Sequence, residues 1–353
     1  MSIEIIKPGM LTTFQDLGRQ QHQSLGIPVA GALDVNAHRV ANLLVGNNVN
    51  EATLEVTVIG PKIKFNKPCC IAVSGADLTP AVNGYAVSMN RPLVIRPGDI
   101  LSFGERSHGA RAYIAIHGGF ALKPVLGSMS TYLRSAIGGL DGRALRPGDE
   151  VQFKKFLDEV DLENLALDLW AIKYCMPASL VKSNRSELRI IKSAQWEDFS
   201  TESRVNILTE SFKVTPVSDR MGYRLEGPQL KLKAPRQMIS ESVLFGTIQV
   251  PVGGQAIILM ADRQTTGGYP KIAYVASIDH PLLAQMMPGD RFTFKLIEIG
   301  DAQSLDYKRE QDFVALSKQT GQFKKLLDEA SRLGHERQVG IESENLMELA
   351  GIR

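Results

Sequence analysis

The sequence predicts a mainly β protein: two tandem β-rich halves, few short helices and a helical C-terminal tail. Three observations predict it. Short β-branched runs alternate with Gly, Pro and Asn turns, one turn signature recurs three times, and the strand period is lost twice, around residue 154 and again after Leu296.

The runs "KIKF", "CCIAVSG", "AYIAIHGG", "LRIIKS", "AIILMA" and "KIAYVASI" have the length and composition of strands. The recurring signature is Pro-Gly-Asp-x-x-x-Phe, at Pro97–Phe103, Pro147–Phe153 and Pro288–Phe294. Proline presets φ, glycine takes the unusual turn angle, and aspartate is expected to bond the backbone just beyond. One copy is common turn grammar; three copies, two of them far apart, point to a duplicated β unit. "DVNAHRVANLLVGN" reads as a helix capped by Asp34, with Val40, Ala41, Leu44 and Val45 on one side. "IDHPLLAQMMPGD" reads as another, capped by Asp279 with Pro281 in its first turn. The boundaries that follow are a β domain over 1–153, a connecting segment over 154–186, a second β domain over 187–298 and a helical extension over 299–353. In that extension Phe313, Leu316, Phe323 and Leu327 fall at helical spacing.

Composition excludes several classes. Forty basic and 38 acidic residues leave a net charge of +2 with no basic stripe, so no nucleic-acid partner is expected. No apolar run approaches the roughly 20 residues of a membrane span, no signal-like segment opens the chain, and the expected location is the cytoplasm. The sequon at Asn184 is read as chance. Of three cysteines, Cys69 and Cys70 are adjacent, a poor geometry for a bridge. The six histidines show no ligand spacing, and no metal is expected. His117, ending a strand, is the one best placed to line a cleft, although a core histidine is the plainer reading. The phosphate loop G-x-x-x-x-G-K-[ST] and the hydrolase signatures G-x-S-x-G and H-E-x-x-H are absent.

Polar groups gather instead in four turns. "TTFQDLGRQ" holds Asp16 and Arg19; "GIPVAGALD" leads into the first helix; "SDRMGYRLEG" holds Asp219, Arg220 and Arg224; "DRQTTGGYPK" spans 262 to 271. An Asp-Arg pair alone is ordinarily a structural salt bridge. Two pairs, each beside a turn glycine, fit a fork of donors for a carboxylate or another planar anion. In the decapeptide, Gly267 and Gly268 allow close backbone approach, Thr265 and Thr266 offer hydroxyls, Tyr269 a stacking face and Lys271 a mobile cation.

Taken in order, "TTFQDLGR", "GIPVAGALD", "ANLLVGN", "ATLEVTVIGP", "SDRMGYRLEG" and "GTIQVPVGGQ…DRQTTGGYPKIA" resemble the KipA-type carboxyltransferase family over roughly residues 3 to 297. The resemblance implies two tandem cyclophilin-like β-barrels with a cleft between them. It also implies a place as the C subunit of a bacterial ATP-dependent 5-oxoprolinase of three proteins, which opens the lactam of 5-oxo-L-proline to L-glutamate. The A and B subunits, the latter a KipI-like protein, would be the partners, the small cyclic amide the substrate, and ATP could sit on a partner. Asp16 and Arg19 occupy the family's "QDxGR" motif, Asp219, Arg220 and Arg224 its "DRxGxRL". Gln249, Asp262, Gln264, Thr265, Thr266, Gly267, Gly268, Tyr269 and Lys271 occupy "IQVP…DxQTTGGYPK". On this reading Arg220 and Lys271 meet anionic groups, the glycine amides and threonines a developing oxyanion, and Asp262 orients or accepts a proton. Two alternatives stand beside it: a biotin-dependent urea carboxyltransferase, whose biotin would arrive on another protein, and a regulator that binds a KipI-like inhibitor.

Overall fold

A computed structural model describes residues 2–181, 185–234 and 238–349, with side chains through residue 337; Asn184 lies outside the described residues. The first half contains β1 (Ser2–Lys7), β2 (Leu11–Gln15), α1 (Val35–Leu44), β3 (Thr53–Thr57), β4 (Lys62–Phe65) and β5 (Cys69–Asp77). It continues with β6 (Pro80–Val82), β7 (Tyr85–Ala86), β8 (Leu93–Ile95), β9 (Ile100–Phe103), β10 (His108–Ile116) and β11 (Glu150–Gln152). These form two sheets, β11-β1-β4-β9-β6-β7 and β2-β3-β10-β5-β8, around one core that includes Ile5, Phe14, Val56, Phe65, Ile71 and Ile114. The second of these sheets is buried on both faces, which explains the uninterrupted apolar runs. Alternation sends Ile71, Val73, Ile114 and Ile116 into that core, and Cys70, Ala72, Tyr113 and Ala115 to the opposite side beneath α1. Cys69 and Cys70 therefore point to opposite faces and are both free thiols.

Two helices, α2 (Leu162–Ala171) and α3 (Ala178–Val181), lie in the connection. The second half follows as β12 (Glu187–Lys192), α4 (Thr201–Thr209), β13 (Phe212–Val214), β14 (Gly222–Glu226), β15 (Glu241–Ser242) and β16 (Thr247–Gln249). Then come β17 (Ile257–Leu259), β18 (Thr266–Gly267), β19 (Lys271–Val275), α5 (His280–Ala284) and β20 (Arg291–Leu296). Seven of these strands close a barrel in the order β12-β19-β16-β17-β14-β13-β20, while β15 and β18 pair outside it. Hydrogen-bonded closure is complete in the second half, whereas in the first half the two sheets face one another around the core.

The three Pro-Gly-Asp turns are structurally equivalent. Gly98, Gly148 and Gly289 sit at φ of 86°, 83° and 100°, angles that disfavour any side chain. Each turn clasps a neighbouring strand through two backbone bonds, reciprocally with Phe65, Ile5 and Val214. The aspartate does not reach forward in the way the sequence suggests. It accepts from the N–H three residues back, at Arg96, Arg146 and Met287, over 2.8, 2.7 and 3.0 Å.

Helix α1 begins where the sequence predicts, Asp34 accepting from Ala37 N–H at 3.0 Å, and buries Val40, Ala41, Leu44 and Val45 completely. At α5 the expectation fails: Asp279 makes no cap bond, because its buried carboxylate is taken by Arg185 and Arg189. The tail is one helix, α6 (Ile299–Leu349). It is no loose appendage, since Phe313, Leu316, Phe323 and Leu327 enter the same cluster as α1, and Arg39 forks onto Glu310 at 2.8 Å on both arms. No helix among the described residues is long and apolar enough to cross a membrane.

His38 on α1 is fully buried between the Thr53 hydroxyl at 2.8 Å and the Val49 carbonyl at 3.0 Å. The carbonyl requires a proton on Nε2, so the neutral ring fits as it stands. Burial pushes its pKa down from 6.5 to about 4. A histidine depressed in the fold binds fewer protons than in the unfolded chain between those values, so stability falls as pH drops from 6.5 to 4. His280, also pushed down to about 4 by burial, adds to this slope, whereas Asp34, pushed up to about 6, opposes part of it. His38→Gln is expected to flatten the dependence of the urea midpoint on pH in that window by an amount on the order of 3 kcal/mol. An unchanged slope would refute the assignment.

Candidate functional site

The four polar turns converge on the seam between the halves. Arg220, at the entrance to β14, is 7% exposed. It forks onto Asp262 through Nε and a terminal nitrogen, both at 3.0 Å, and donates to the Gly31 carbonyl at 2.7 Å and to Glu55. Glu55, on β3, accepts in turn from Leu33 N–H at 2.9 Å and the Tyr113 hydroxyl at 2.7 Å. Tyr113 takes the Asp34 N–H at 2.8 Å, and Asp34 takes the Gln285 amide at 2.7 Å. The chain from Asp262 to Gln285 therefore crosses the seam twice. Burial alone would lower the Arg220 pKa, but Asp262 and Glu55 outweigh it and hold the guanidinium charged. Burial alone would raise that of Glu55, but Arg220 and Arg111 prevail and hold it below the ordinary carboxylate range. Gly31 must be glycine here, with φ of 88° and a would-be Cβ 2.9 Å from Gly18 N.

This geometry corrects several sequence readings. Arg220 offers no free donor fork, and Asp262 is clamped on Arg220 and not poised as a base. Lys271 is not mobile: it is 3% exposed and its ammonium lies 2.7 Å from Glu241, tying β19 to the β15–β18 hairpin. Asp16 and Arg19 do not pair either. Asp16 accepts from the Ser128 and Ser130 hydroxyls and from Met129 and Gly18 N–H. Arg19, 1% exposed, donates to the Ser130 carbonyl at 2.5 Å, while its Nε and second terminal nitrogen have no partner among the described residues. His117 is buried against α6, bonded to the Val45 carbonyl at 2.8 Å, and lines no cleft.

In front of the seam opens a cleft of about 620 Å³. Asp219, Arg224, Gln249, Gln264 and Tyr269 line it, so two of the four motifs share one cavity. Arg224 is exposed and makes no ion pair among the described residues. Gln249, 1% exposed, faces Gln264 at 3.5 Å, and its own Nε2 has no partner among the described residues. Gly267 backs this amide, since a Cβ there would lie 2.5 Å from Nε2. Thr265, Thr266 and Gly268 belong to the hairpin beside the cleft and do not line it. Sequence reasoning missed Arg134, which enters the cleft from the first half, 3.6 Å from Asp219. Its segment, residues 128–143, is also the one that cradles Asp16 and Arg19; the signal was the glycine run "GGLDGR" beside "SMST". Among the described residues no three metal-ligating side chains come together.

Residues 25–296 match the family described as carboxyltransferase domain, subdomain A and B. The chain is 34% identical over 316 residues to the C subunit of 5-oxoprolinase from Escherichia coli K12, covering 89% of this chain and 97% of that one. It is 35% identical over 308 residues to the Haemophilus influenzae protein of that name, covering 87% and 95%. The Saccharomyces cerevisiae urea amidolyase is 30% identical over 354 residues, 94% of this chain but only 18% of that longer protein. Among solved structures, the Kluyveromyces lactis urea amidolyase superposes with a TM-score of 0.79 at 28% identity, over 89% of this chain and 20% of that one. By sequence and by fold, the chain belongs to the carboxyltransferase-domain family.

Proposed function

We propose that this chain is the C subunit of an ATP-dependent 5-oxoprolinase, and that the cleft between the halves holds the cyclic amide. The observation that carries the reading is the cleft's chemistry: an unpaired arginine beside two side-chain amides, one with a buried donor still open. A 5-oxoproline ring needs those complements, a cation for its carboxylate and donors and acceptors for its lactam. Arg224, seconded by Arg134, receives the carboxylate; Gln249 Nε2 faces the lactam oxygen; Gln264 faces the ring N–H; Tyr269 covers the apolar carbons. Asp219 is the carboxylate that fronts the cavity and positions the attacking water. Arg220 and Asp262 act one layer behind, fixing the turns that carry Asp219 and Gln264.

A lactam carbonyl is poorly electrophilic, so its oxygen must be activated before water attacks. ATP supplies that activation, and the absence of a phosphate-loop signature favours a partner subunit as its holder. The nearly full-length match to proteins named as the C subunit of 5-oxoprolinase supports a multisubunit enzyme over the urea carboxyltransferase and regulator readings.

Assayed together with its partner subunits, the chain is expected to support ATP-coupled release of L-glutamate. Arg224→Ala should raise KM for 5-oxo-L-proline roughly 10- to 100-fold, the worth of a charge-assisted hydrogen bond, with little change in kcat. Urea turnover with a biotin-bearing protein, and none with 5-oxoproline, would reject the proposal.

A further inference from the structure

A second cavity, about 520 Å³, lies where the two halves and α6 meet. Among the described residues it shares no lining residue with the cleft. Its size suits a small molecule, and its wall is chemically divided. Leu180, Leu282 and Leu305 supply apolar surface, while Asp34, Asp312 and Lys308 bring charge of both signs.

The two acids are hydrogen-bonded, but no cation meets them among the described residues. Asp34, 5% exposed, accepts only from neutral groups, Ala37 N–H and the Gln285 amide among them. Asp312 accepts from the Ser179 hydroxyl at 2.6 Å. Among the described residues neither is in an ion pair, and neither is Lys308, an exposed lysine one turn from Asp312 on the same helix. The three arginines of the wall differ: Arg185 and Arg189 are bound to Asp279, and Arg309 to Asp306 at 2.8 Å. The Asp34 carboxylate is held by the N-terminus of α1 and by Gln285, and a ligand cation in the cavity would add the ion pair that it lacks.

We propose that this cavity is a second ligand site and that it takes a small zwitterion of the amino-acid type. The ammonium meets Asp34 and Asp312, the carboxylate meets Lys308, and the side chain lies on the leucines. Because the Asp34 N–H bonds Tyr113, which bonds Glu55, which holds Arg220, an occupant of this cavity bears directly on the seam behind the cleft.

The site is tested by calorimetry on the full chain, with glycine, L-alanine and L-leucine as probes and acetate and methylammonium as single-charge controls. Amino acids are expected to bind more tightly than either control. Lys308→Ala and Asp312→Asn should each weaken them at least tenfold, Lys308→Arg should restore binding, and Arg224→Ala should leave it unchanged. Circular dichroism confirms that the variants keep α6. Acetate binding as tightly as the amino acids would remove the zwitterion, and equal affinity in Lys308→Ala would remove the site. Loss in Arg224→Ala would move binding to the cleft, and no heat at concentrations on the order of ten millimolar would overturn the proposal outright. The result is independent of whether the cleft opens a lactam.

Discussion

Replacing Arg220 with alanine is expected to destabilise the protein by about 3–5 kcal/mol, the cost of breaking a buried ion pair by removing one partner. The magnitude follows from what is left behind. Glu55 and Asp262 would face one another across the seam with no cation between them, and the Gly31 carbonyl would lose its donor. Arg220→Lys restores charge but not the fork, so it should recover only part of the loss. The decisive comparison is Arg220→Met combined with Glu55→Leu and Asp262→Asn, which removes the stranded charges together. The urea midpoint should recover substantially in that triple variant, whereas Arg220→Ala alone falls. If the single alanine variant costs less than about 1 kcal/mol, the value for an exposed pair, water reaches the seam and the buried clamp is wrong.

Ending the chain at residue 298 should have a larger effect still. The helix it removes places Phe313, Leu316, Phe323 and Leu327 in the cluster above α1, all at 3% exposure or less. Burial of such side chains contributes about 1.5–3 kcal/mol each, so roughly 6–12 kcal/mol is lost, comparable to the whole stability of an ordinary domain. The truncated protein should aggregate or bind an apolar dye strongly. A soluble, monomeric truncation with an unchanged melting temperature would show that the helix is dispensable. Phe323→Ala serves as the milder control, with an expected loss of about 3–5 kcal/mol.

What the sequence made legible is what local chemistry dictates. The three Pro-Gly-Asp turns, the Asp34 cap and the tail's apolar spacing each depend on residues a few positions apart, and each is found in place. The polar turns are also legible as unusual, because polarity is concentrated there between buried strands, and the structure brings them together at the seam. Roles within them were not legible, because they depend on partners far along the chain. Arg220 looks like a ligand's fork until Glu55 is found beside it, 165 positions away. Lys271 looks free until Glu241 is folded over it. Asp279 looks like a cap until Arg189 takes its carboxylate. Arg134 carries no motif of its own and is recruited to the cleft only by the path of the 128–143 segment. Likewise, hydrogen-bonded closure of the second half but not the first depends on strand pairing, which the alternation of apolar residues does not encode.

The covering of α1 by α6 also sets a timetable. The surface that needs shelter is made well ahead of the helix that closes over it: Arg39 on α1 and its partner Glu310 on α6 are 271 positions apart. At ordinary elongation rates the interval is on the order of tens of seconds. During that time the nascent chain carries a greasy patch that only the connecting segment, through Leu162, Leu169 and Leu180, covers in part. Ribosome-associated chaperones should therefore engage this protein until α6 has emerged, and a premature stop codon ahead of α6 should be felt first as a failure of yield.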